Sequence, residues 1–128
     1  MRASSLIFAV VLMAVAWAFD LPATLGAHPW WSGKAVLIGA PVGLVLAWVL
    51  ALRFGPGARM AVIGVALILA GASAYYGKQV FVSSFGDNAL AGRFWFFGWI
   101  ASMAALSAAL STVGDLILAR VRAASPEA

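Results

Sequence analysis

Four long apolar runs, separated by shorter polar and turn-rich stretches, organise this chain. LIFAVVLMAVAWAF follows Ser4-Ser5 and gives way to Asp20-Leu21-Pro22. AVLIGAPVGLVLAWVLAL fills 35–52, MAVIGVALILAGASAYY fills 60–76 and FWFFGWIASMAALSAALSTVGDLIL fills 94–118. The hydrocarbon core of a bilayer is about 30 Å thick and takes about 17 to 25 helical residues to cross. The runs lack the strict alternation of a membrane β-barrel, and in lipid a continuous apolar run must satisfy its backbone N–H and C=O groups internally, as a helix does. The pattern therefore predicts an all-α integral membrane protein. Its single domain, residues 1–128, holds four transmembrane helices at about 4–20, 35–52, 60–76 and 94–118, with a frayed tail at 123–128.

The connections suggest how these spans are arranged. Arg53-Phe-Gly-Pro-Gly-Ala-Arg59 is short and rich in turn residues, so the second and third spans form a hairpin and the whole reads as an antiparallel up-down bundle. The other two connections, about 20–34 and 77–93, are longer and carry Pro29-Trp30-Trp31 and Val80-Phe81-Val82, groups suited to the membrane interface. If the spans alternate, Arg2, Arg53, Arg59, Arg120 and Arg122 share one side, against Lys34, Lys78 and Arg93 on the other. The positive-inside rule then places both termini in the cytoplasm. The first run also has features of a secretory signal, but it has a single preceding charge and Leu25 at the −3 position of a cut after Ala27. An uncleaved span is the better reading.

Composition sharpens the choice of solvent and narrows the chemistry. The chain is 65% hydrophobic and 9% charged with a mean hydropathy of +1.04, against about 45–50% and about 25% for soluble domains. With no cysteine and one histidine, thiolate metal sites, disulfide frameworks and bis-histidine haem are excluded. The net charge of +4 comes from basic residues scattered between apolar runs. That pattern fits membrane edges and not a nucleic-acid surface. A bacterial-type inner (plasma) membrane is the expected location.

Few residues carry candidate chemistry. Asp115 lies near the cytoplasmic end of the last span with Arg53, Arg59, Arg120 and Arg122 available as partners, and an edge ion pair is expected there; Asp20 at the other edge could cap a short helix at Leu21-Pro22. Ala101, Ala104, Ala108 and Ser111 form a small-residue stripe on the last span, ending in Asp115, and Gly39 and Gly43 form a small-xxx-small pair around Pro41. Such surfaces let helix backbones approach closely, either within the bundle or against a partner. Trp30, Trp31, Trp95 and Trp99 read as an interfacial aromatic belt, and His28 beside them as a loop residue and not a metal ligand. The paired carboxylates, nucleophile-base sets and glycine-rich phosphate loops of familiar enzymes are missing, and so is the membrane-embedded glutamate near the N-terminus expected of small multidrug exporters.

Three functions remain. The first is a non-catalytic accessory or assembly subunit packed against a larger membrane complex, in contact with lipid and larger subunits or its own copies and not with nucleic acid. The second is a small homo-oligomeric transporter or channel using Ser73, Ser102, Ser107, Ser111, Thr112 and Asp115. The third is a lipid- or quinone-binding membrane protein, with no resident cofactor required.

Overall fold

The computed structural model describes residues 1–125. These form five helices in chain order, with no strand among the described residues: α1 (Ala3–Ala18), α2 (Leu21–Thr24), α3 (Ser32–Ala51), α4 (Pro56–Ser83) and α5 (Ala89–Ala123). Three of them, α3, α4 and α5, have the length and apolarity to cross a bilayer, whereas α1 has 16 residues. At a rise of about 1.5 Å per residue, α1 measures only about 24 Å. The expected tail at 123–128 begins at the last residue of α5, and its residues 126–128 lie outside the described part.

The last two helices are longer than the apolar pattern implied. The polar Gly77-Lys78-Gln79 step, expected to open a loop, is an ordinary part of α4, which runs on to Ser83. Hydropathy reports the solvent around a segment, while a helix ends where its backbone is broken or capped. Here Phe85 (φ 55°) and Gly86 (φ 83°) turn left-handed, and the Gly86 amide donates to the Phe81 carbonyl at 3.0 Å, closing the end of α4. Asn88 then starts α5 by accepting a hydrogen bond from the Ala91 amide at 3.0 Å. The anticipated connection at 77–93 shrinks to five residues, 84–88.

Helix α5 is the hub, packing on α4, α3 and α1, while the consecutive helices α3 and α4 touch each other little. The short turn joins them in sequence, but both face α5. Glycines make this possible. A Cβ added at Gly39 would sit 2.7 Å from the Ile100 carbonyl oxygen, one at Gly77 2.6 Å from the Trp95 amide nitrogen, and one at Gly98 2.6 Å from the Ala74 amide nitrogen. At Gly43 it would overlap the Ala104 carbonyl oxygen. These backbones touch, as small residues permit in lipid-embedded packing. Along α3 and α5 the contacting numbers rise together, Gly39 with Ile100 and Gly43 with Ser107. Along α4 and α5 they run oppositely, Gly77 with Trp95, Ala74 with Gly98 and Arg59 with Asp115.

The core is thin and split in two. Met13, Ala35, Val36 and Met103 form one cluster; Ala47, Ile63, Ala105 and Ala108 form the other. Most large apolar side chains point outward instead, Ile68 at 72% exposure among them. In water that surface would be untenable for a monomer. It fits a lipid environment or a protein neighbour.

Candidate functional sites at the two ends of the bundle

At one end, three helices converge on a carboxylate. Asp115, on α5, accepts a hydrogen bond from Ser5 Oγ of α1 at 2.5 Å through Oδ1, and one from Arg59 Nη1 of α4 at 3.1 Å through Oδ2. Ser5 is fully buried, and the Arg59 and Asp115 side chains are only 6% and 13% exposed. Each element reaches this point for a local reason. Ser5 lies in the first turn of α1, Arg59 in the first turn of α4, which opens at Pro56, and Asp115 two turns before the end of α5. Gly114 clears the space, since a Cβ there would lie 3.1 Å from the Phe8 ring and 3.2 Å from Ser5 Cα. Arg59 Nε has no hydrogen-bond partner. The arrangement neutralises two charges and ties α1, α4 and α5 together.

Of the four arginines offered for Asp115 by sequence, the fold selects Arg59. Ser5 was missed, although a serine at the very start of an apolar span was a usable signal. Asp20 stands at the N-cap position of α2 but does not cap it as expected: it is left-handed (φ 51°) with no side-chain capping bond, and its Oδ1 is buried without a partner.

The other end is aromatic. His28 stacks near Trp31 with ring centroids 6.3 Å apart and meets Trp95 edge-on at 5.8 Å, and Trp31 also meets Phe96 at 5.1 Å. His28 Nδ1 accepts from the Trp30 amide at 3.2 Å, which holds the ring against its neighbours. Trp30 is 89% exposed, as a belt residue would be, and Trp31 and Trp99 are partly exposed. Trp95 departs from the belt reading: it is buried, and its Nε1 donates to the Gly26 carbonyl at 3.2 Å. The reason is its position on α5 beside Gly77, where α4 comes close enough to cover it. Trp95→Phe removes that hydrogen bond and part of the packed ring. It is expected to cost about 1–2 kcal/mol, read as a lower midpoint in thermal unfolding in detergent.

The small-residue stripe is placed unevenly. Ala104, Ala108 and Ser111 are buried, Gly39 and Gly43 press on the same part of α5, and Ala101 is exposed. The hydroxyls are also spoken for. Ser102, Ser111 and Thr112 donate to the carbonyls of Gly98, Ser107 and Ala108 four residues back on the same helix, and Ser73 does so to Leu69. Ser107 instead reaches across to the Ala40 carbonyl at 2.9 Å, just before Pro41. Among the described residues no group of three metal-ligating side chains comes together.

The described residues thus define an all-helical chain whose three long helices are suited to a membrane. Comparison with protein-family models, curated proteins and solved structures finds no match.

Proposed function

We propose that this protein is a small accessory or assembly subunit that docks on a larger membrane protein. One observation carries the reading. Gly57, Gly64 and Gly71 recur every seven residues on α4, and a Cβ added at any of them would meet no atom within 4 Å. Glycine within a helix costs roughly 0.5–1 kcal/mol relative to alanine. The glycines at 39, 43, 77 and 98 offset that cost through close backbone contact inside the chain, and these three do not. A helix from another subunit, packed at small-residue distance, would make use of them. This moves the docking surface from α5, whose stripe is largely consumed by the chain's own packing, to the open face of α4.

The reading includes α1 as a fourth, short span, helices that alternate in direction, and both termini in the cytoplasm of a bacterial-type inner membrane. The opposed numbering of the α4–α5 contacts and the parallel numbering of the α3–α5 contacts support the alternation. The transporter alternative is weaker, because Ser73, Ser102, Ser107, Ser111, Thr112 and Asp115 all have hydrogen-bond partners within the chain.

Purification from native membranes in mild detergent, followed by mass measurement, is expected to return a stoichiometric larger subunit. Gly57→Leu with Gly64→Leu, both clear of the Gly71 cavity, should release that subunit while leaving the unfolding midpoint of the isolated chain unchanged or raised. Recovery of only a dimer or tetramer of this chain would overturn the assignment.

A further inference from the structure

We infer that the cleft between α2, α4 and α5 is a binding site for one anionic phospholipid, with Lys78 holding the headgroup phosphate. This cavity, about 250 Å³, combines a polar mouth formed by Lys78, Gln79 and Gly26 with a mostly apolar floor formed by Gly71, Ala74 and Trp99, where the Ser102 hydroxyl is turned back onto the Gly98 carbonyl. Lys78 and Gly71 are seven residues apart on α4, a drop of about 10 Å along the helix. The chemistry thus changes from cationic to apolar over the distance that separates a phosphate from the upper part of an acyl chain.

The orientation of Lys78 distinguishes this cleft from an ordinary membrane-edge anchor. A lysine near the end of a membrane helix commonly extends its amine outward to water. Lys78 instead lies back over the cleft, its Nζ 5.8 Å from the centroid of the Trp95 ring and 3.2 Å from where a Cβ on Gly26 would stand. Gly26 has a φ of +116°, a conformation open to glycine, and its carbonyl is pinned by Trp95 Nε1. The wall against which Lys78 rests is therefore held in place. Among the described residues the salt bridge present is Arg59–Asp115, at the opposite end of the bundle, so no carboxylate pairs with Lys78. A half-buried cation above an apolar gutter calls for an anion with a tail. A free phosphate satisfies only the mouth and a neutral quinone only the floor.

The test uses the purified chain in neutral detergent, apart from any partner, so its outcome is independent of the docking reading. Native mass spectrometry with added phosphatidylglycerol or phosphatidylcholine of the same acyl chains is expected to show one tightly held lipid and a preference for the anionic one of about five-fold, the contribution of a single lysine near a headgroup. Lys78→Gln should abolish the preference, Lys78→Arg should retain it, and Arg93→Gln, which removes an exposed cation at the same end, should leave it intact. Gly71→Leu should weaken retention of both lipids by filling the floor. An undiminished preference in Lys78→Gln, an equal loss in Arg93→Gln, or displacement of the lipid by inorganic phosphate would each overturn the site.

Discussion

Asp115→Leu is expected to destabilise the isolated protein by about 3–5 kcal/mol, among the largest effects available to a single substitution in this chain. The reason is what remains behind. With the carboxylate gone, the Arg59 side chain stays buried with no counter-charge, and Ser5 Oγ loses its acceptor. Arg59→Met should do comparable damage from the other side, leaving the carboxylate with only the serine. The double variant, which removes both charges, is expected to recover most of the loss, since a well-packed apolar replacement for a buried pair is often neutral or stabilising. Equilibrium unfolding in mixed micelles for the two single variants and the double checks this. Equal, additive losses would mean that the pair is solvated and contributes little. The location gives the contact its leverage, because three helices distant in sequence meet there and nowhere else through a charged group among the described residues.

Gly43→Ala is expected to cost at least about 1–3 kcal/mol, whereas Gly64→Ala should leave stability unchanged or raise it by up to about 1 kcal/mol. The two substitutions add the same methyl group to the interior of an apolar helix. At Gly43 it would run into the Ala104 carbonyl and come within 2.7 Å of Ser107 Cβ; at Gly64 it meets nothing. Backbone contacts cannot yield as the end of a flexible side chain can, so α3 and α5 must separate, and the Ser107 bond to the Ala40 carbonyl goes with them. Parallel thermal unfolding of the two variants reads the difference directly. If both were neutral, the close α3–α5 approach would not be a feature of the folded protein. In native membranes the order is expected to reverse in one respect, with bulk at Gly64 interfering with partner assembly.

Much of this was legible along the chain. Apolar runs marked the middle of each long helix and located α3 to within a few residues, and they placed Asp115 among arginines at a helix end. The ends of α4 and α5 were less legible. Lys78 and Gln79 look like loop residues when judged by solvent preference, yet the backbone continues until Phe85 and Gly86 turn it and Asn88 restarts it. Trp95 illustrates the same limit. Its position in an aromatic run at a membrane edge is visible in sequence, but whether such a ring faces lipid or protein depends on Gly77, on another helix, lying against it.

The sequence by itself determined a helical chain suited to a membrane, though not where α4 and α5 end, because lipid leaves an apolar segment of that length little alternative to satisfying its own backbone. It also determined which helices carry small residues. Only the tertiary structure decided which of those residues are spent inside the chain and which are left open, since a glycine looks the same in sequence whether a backbone presses on it, as at Gly43, or nothing does, as at Gly64. That distinction moves the proposed docking face from α5 to α4. The hydrophobic pattern, which has no directional information beyond polarity in a uniformly apolar helix, could not have made it.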